Sequence, residues 1–244
     1  MSDSTGVPAS VPVQADSKPL PAWLVPALFV CGLMAAIVSE PVIAANKERF
    51  TTATGLPPFP PELMWRVFWD NLYNHTICYG FVGLVTSGLI CAAVGLSVNV
   101  SRAVFGLVVG ALVGVVVGSA LGIFGWFLAE RVFVSNNIDS ILEALLIFIP
   151  FWVVLGFAVC CVALLACRRL DLLKHAIQPS IVYGVAAVIC YVGIATLVFP
   201  SDWPGHIIPE FARLRIVLGI TGCLGIAAAV LATLRKQKTV PVKA

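Results

Sequence analysis

Charge is what this chain has least of: Asp, Glu, Lys and Arg make up 11% of its 244 residues, while 60% are hydrophobic. A soluble domain carries about a quarter charged residues, so the shortage excludes a water-facing surface wrapped around a single core. The short signatures that carry chemistry are missing too. There is no GxGxxG after a strand, no GxxxxGKS or GxxxxGKT, no GxSxG, and no HxxxH, HExxH or CxxC spacing. Nor is there a basic patch interleaved with aromatics that would grip nucleic acid. These absences lead us to expect no enzymatic activity, no metal, no cofactor and no nucleic-acid partner.

Long uncharged runs take the place of those signatures. Six of them are present, Pro19 to Ser39, Asn71 to Ser101, Ala103 to Ala129, Ala144 to Cys167, Ala176 to Ser201 and Ile216 to Leu234. Each is close to or above the roughly 20 residues of helix that cross a hydrocarbon core of about 30 Å. The alternation of a membrane barrel strand is absent, so each run reads as a helix that satisfies its backbone internally. The expected fold is an all-α, polytopic transmembrane helix bundle of six spans over residues 21–234. Prolines mark several run ends, and Pro150, inside the fourth run, predicts a kink.

The third run carries the most specific pattern. Gly106, Gly110, Gly114, Gly118 and Gly122 stand at strict four-residue spacing, and positions four apart share a helical face. The reading is a transmembrane glycine zipper, a shallow groove into which a neighbouring backbone presses. Glycine inside a helix costs about 1 kcal/mol relative to alanine, so the stripe needs a packing reason. Between the second and third spans only residues 98–102 can turn, which makes them a tight antiparallel hairpin. Gly80, Gly83, Gly88 and Gly95 are therefore the first partner surface to consider. Gly219, Gly222 and Gly225 in the sixth run are a rival, and homo-oligomerisation through the stripe is the alternative to packing within one chain.

Basic residues set the expected orientation. Arg235, Lys236, Lys238 and Lys243 follow the last run, which assigns the basic tail 235–244 to the cytoplasm. Counting back through six spans puts nine basic residues on that side, Lys18, Arg102, Arg168, Arg169 and Lys174 among them, and leaves six on the other. Residues 1–20, rich in Ser, Pro, Ala and Asp, read as a disordered cytoplasmic tail, without the basic start and cleavage site of a signal peptide. Both termini are thus expected to be cytoplasmic in a multi-pass integral membrane protein.

The long connection after the first run ends in an amphipathic stretch. Trp65, Trp69 and Tyr73 recur every four residues with Arg66 and Asp70 between them, which predicts an interfacial helix over about 62–74. Anchoring is the simpler role for it, and a lid over an outward-facing cavity is the functional one.

Eight cysteines fall in or at the edges of the runs, without paired spacing. They read as small apolar packing residues; Cys167, beside Arg168 and Arg169, is the one candidate for acylation or redox chemistry. No ionisable residue lies at an expected midplane. Glu40, His75, Glu143 and His206 all fall on the outer face under the assigned topology, so an outer polar site can be assembled from them. The plainer alternative is that such charges pair with Arg131, Arg213 or Arg215, or with water and headgroups. The expected role is structural or accessory, a membrane component packing against lipid, itself or another membrane protein. A small transporter or channel with its path along the glycine face is the alternative.

Overall fold

The computed structural model describes residues 20–46, 61–129, 139–200 and 208–236. Six long α-helices account for nearly all of them: α1 Leu24–Asn46, α2 Pro61–Leu96, α3 Val100–Leu128, α4 Ser140–Ala166, α5 Ile177–Val198 and α6 Ala212–Arg235. A short 3-10 helix, Leu170–His175, joins α4 to α5. No strand occurs among the described residues. All six α-helices are long and apolar enough to cross a membrane, so the chain is an all-helical, multi-pass membrane protein. The expected tails lie outside the described residues apart from Leu20, Arg235 and Lys236, as does His206.

Local sequence explains several ends. Asn99 caps α3 by accepting the Arg102 backbone N–H at 2.8 Å, and Asp139 caps α4 by accepting that of Ile141 at 2.8 Å. At the far end of α4 the Arg169 N–H reaches Leu164 O at 2.8 Å and the Arg168 N–H reaches Leu165 O at 3.2 Å. That pair of bonds is a Schellman turn, which requires a left-handed residue. Arg168 supplies it with φ 57°.

Three sequence expectations need correction. The first span does not stop at Ser39; α1 continues through Glu40 and Pro41 to Asn46. The segment 62–74 is not a separate interfacial helix but the opening turns of α2. Nothing between Tyr73 and Tyr79 breaks a helix, so the amphipathic stretch and the second span propagate as one rod of about 54 Å. Likewise α6 begins before Arg215 and takes in Arg235.

Helices α2, α4 and α6 form an inner triangle, and α1, α3 and α5 each fill an outer notch, α1 between α6 and α2, α3 between α2 and α4, α5 between α4 and α6. Successive helices reverse direction, so the inner three run parallel to one another. The axis is filled. Tyr79 packs its ring on Phe151 at 4.7 Å between centroids, the Trp152 indole lies over Gly222, Thr86 Oγ1 meets Cys223 Sγ at 3.3 Å, and the Cys91 thiol points at Val159 O at 3.6 Å.

The α2–α3 seam is the most extensive contact in the molecule. Gly106, Gly110, Gly114, Gly118 and Gly122 are all buried, and they face the carbonyls of Cys91, Ser87, Gly83, Tyr79 and His75 in that order. Each step of four along α3 is matched by a step of four back along α2. A methyl group on Gly110 or Gly122 would lie 2.7 Å from the opposing oxygen, so each glycine directs a Cα–H at a carbonyl, a contact worth about 0.5–1 kcal/mol. The Ser119 hydroxyl adds a hydrogen bond across the seam to Thr76 O at 3.2 Å. The rival glycines lie elsewhere: Gly219 on Ala36, Gly222 on Trp152, Gly225 on Ala187 and Tyr183.

Candidate functional site

Helices α1 and α6 run antiparallel with Gly32 against Cys223 and Gly219 against Ala36. One further turn along the same register brings Glu40 to Arg215. The Arg215 Nη2 donates to Glu40 Oε1 at 2.8 Å, and Nε reaches both carboxylate oxygens at 3.2 Å. Nη1 donates to Pro209 O at 2.9 Å and to Glu210 O. The side chains are 6% and 15% exposed respectively for Arg215 and Glu40. Along the helix axes the pair lies roughly 10 Å from the middles of α1 and α6 at ~1.5 Å per residue, within both apolar helices and not in a connection.

Such a pair exists because neither partner is tolerable alone. Two buried charges lose several kcal/mol of hydration each, and mutual attraction with full hydrogen bonding offsets that loss. The sequence supports the geometry locally. Pro41 removes the N–H that would have bonded Ile37 O, and Pro209 leads into α6 with its carbonyl turned to the guanidinium.

Beside the pair is a cavity of about 30 Å³, roomy enough for water by volume. Its wall includes Ile43, Cys78, Val82, Trp152 and Leu218, together with Arg215, and is almost wholly apolar in its chemistry. The Trp152 indole N–H is buried without a hydrogen-bond partner, as are the hydroxyls of Ser39 and Ser87.

Of the four residues expected to assemble an outer site, Glu40, His75 and Glu143 are described. Glu40 is committed to Arg215, one of the three arginines anticipated as partners. His75 is half-buried on the α3 side of α2, where its backbone carbonyl faces Gly122. Its ring Nδ1 donates to Asn71 O at 2.6 Å, the Nδ1–H tautomer being assigned from that bond. Glu143 stands in the first turn of α4, where a carboxylate complements the positive end of the helix dipole. His206 lies outside the described residues. Among the described residues no three His, Cys, Asp or Glu side chains come together as metal ligands.

All eight cysteines are free. Cys160 sits in a buried polar knot, receiving the Ser180 hydroxyl at 3.8 Å and lying 3.9 Å from Thr233 Oγ1. Cys167, just past the end of α4, donates to Leu164 O at 3.5 Å. Burial pushes its thiol up, against a smaller opposing pull from the Arg169 charge, so it is a poor nucleophile at neutral pH.

Sequence reasoning offered Arg215 only as one of three possible counter-ions and did not single it out for Glu40. The signal was present, since a charge one turn inside a helix needs a counter-ion, but its partner is 175 positions away. No protein-family model, no curated protein and no solved structure matches the chain.

Proposed function

We propose that this chain is a non-enzymatic membrane component of structural or accessory type, acting by packing against lipid, a second copy of itself or another membrane protein. The observation that supports this reading is an interior occupied, among the described residues, by side chains and backbone apart from the cavity of about 30 Å³ beside Arg215. The glycine face of α3 is occupied by the α2 backbone, and the axis between α2, α4 and α6 is occupied by Tyr79, Trp152, Thr86 and Cys223. A transport path along the glycine face is therefore disfavoured. Homo-oligomerisation would have to use another surface, and the outer faces of α1, α3 and α5 offer exposed Leu33, Ile37, Leu112, Val116, Ile181 and Leu197.

Charge supports the orientation with both termini cytoplasmic. At the end holding the α4–α5 connection, the described residues include Arg102, Arg168, Arg169, Lys174, Arg235 and Lys236 against Asp171 alone. At the other end, besides the mutually paired Glu40 and Arg215, Arg66 and Arg213 stand with the acidic Asp70, Asp139, Glu143 and Glu210. The basic end is the cytoplasmic one by the positive-inside rule.

A small transporter remains the second reading, and one observation favours it. The Glu40–Arg215 pair is a buried ion pair between two candidate spans, beside a cavity, and charges kept within spans are the kind of group that membrane proteins keep for function. Native mass spectrometry of the gently released protein separates the two. A multimer or a retained protein partner supports the accessory role; a monomer carrying a defined small molecule overturns it in favour of transport.

A further inference from the structure

The corner between α4 and α5 gathers features that the accessory reading does not use. Arg168 and Lys174 are exposed and Arg169 is half-buried. The Arg169 Nη2 is buried with no hydrogen-bond partner, although the Asp171 carboxylate stands two residues away in sequence. A cationic N–H buried without an acceptor is costly; the nitrogen is covered, so the guanidinium must swing outward to meet an anionic oxygen from outside the chain, beside Arg168 and Lys174, which are already exposed. The intervening 3-10 helix supplies the apolar half. Positions three apart eclipse in such a helix, so Leu170 and Leu173 share a face, both exposed, and Ile177 beyond them is exposed as well. Arg168 is placed by its left-handed turn, a position where glycine would be cheaper.

We propose that this corner binds the phosphate headgroup of an anionic phospholipid, with Arg168, Arg169 and Lys174 around the phosphate and Leu170, Leu173 and Ile177 against the acyl chains. The lipid, rather than a soluble phosphate, is chosen because the apolar face lies on the same short element as the charges. Phosphate oxygens match the planar guanidinium fork. The proposal names one partner for the lipid-packing reading above and rests on the chain being membrane-embedded, but not on which end is cytoplasmic.

The test is native mass spectrometry of the full chain in detergent micelles, titrated separately with phosphatidylglycerol, phosphatidylcholine and inorganic phosphate. The expected result is retention of one or a few phosphatidylglycerol molecules at concentrations where phosphatidylcholine is lost and inorganic phosphate neither binds nor displaces the lipid. Arg169→Gln and Lys174→Gln should each weaken retention about fivefold, the factor that ~1 kcal/mol per basic residue near a membrane surface gives. Arg168→Gly keeps the left-handed turn while removing the charge, so it should weaken retention with thermal stability unchanged or raised. Arg66→Gln at the opposite end should change nothing. Equal retention of the two lipids, unchanged retention in the variants, or full competition by inorganic phosphate would each overturn the proposal. Carbonate extraction keeps the two claims apart: a chain that stays in the membrane fraction yet shows no lipid preference loses only this site, whereas a chain released by carbonate loses the membrane reading as well.

Discussion

Replacing Gly114 by alanine tests the α2–α3 seam at its centre. The new methyl would collide with Gly83 O and lie 2.6 Å from Gly83 C and 2.7 Å from Ser87 Cβ. Two of those three atoms are backbone, so no rotamer change relieves the clash and α3 must move away from α2. Because the neighbouring contacts at Gly110 and Gly118 belong to the same ladder, they loosen together. Overpacking of this kind costs about 1–3 kcal/mol, while alanine returns about 1 kcal/mol of helix propensity. Gly193→Ala isolates that second term, since nothing lies within 4 Å of a methyl there. The difference between the two variants thus cancels propensity and leaves the clash, about 1–3 kcal/mol, which for a protein of this size separates their melting temperatures by roughly 2–12 °C. Gly88→Ala provides a third point within α2 itself, with its nearest neighbours at 3.4 to 3.6 Å, and it should melt with Gly193→Ala. Intrinsic tryptophan fluorescence during thermal unfolding, in one detergent for all three, is the assay. Coincident melting of Gly114→Ala and Gly193→Ala would refute the close-approach argument. Gly114→Leu, with a far larger side chain, should fail to fold or assemble.

Four further outcomes are expected. Breaking the ion pair with Glu40→Gln or Arg215→Gln alone should destabilise the fold by about 3–5 kcal/mol, whereas Glu40→Leu with Arg215→Met should recover most of that loss; simple additivity in a double-mutant cycle on thermal unfolding would count against a buried pair. Arg168→Gly should raise stability by about 1 kcal/mol, the penalty a non-glycine residue meets in the left-handed turn, and a lowered melting temperature would contradict it. Removing charge at Arg168 and Arg169 together should weaken the assigned orientation, checked by reporter accessibility of both tails. The raised Cys167 thiol is almost fully protonated at neutral pH, so its alkylation should reach half-maximal rate at a higher pH than an exposed cysteine in the same buffer; a coincident profile would show that burial does not act on it.

The spans were legible because a bilayer demands apolar length, a demand visible in one window of sequence at a time. The antiparallel hairpin of α2 and α3 was legible for a similar reason, with only residues 98–102 available to turn. Pairing of the outer charges with arginine was legible, but neither the choice of Arg215 for Glu40 nor the length of α1 was, because a run-based reading ends a span at a charge, whereas a charge buried with its counter-ion ends nothing and lets α1 continue to Asn46. The same logic applied to Trp65, Trp69 and Tyr73: their polar neighbours suggested a boundary, but helix propagation stops at breakers rather than at changes of polarity. The division into inner and outer helices was hidden for a deeper reason. Lipid tails are as apolar as leucine, so hydrophobicity cannot say which face of a span meets protein. The most hydropathic span, α4, is an inner helix, while α3, next in rank, is the least buried of all. Small and hydroxyl-bearing residues do distinguish the faces. Thr86, Ser87, Ser180 and Thr233 are all buried, the five glycines of α3 all turn toward α2, and large side chains such as Leu112 and Val116 turn outward between them. In a membrane bundle the pattern that encodes packing is therefore carried by the absence of bulk, and a variant series that adds bulk to one face at a time reads that pattern more directly than any change in polarity.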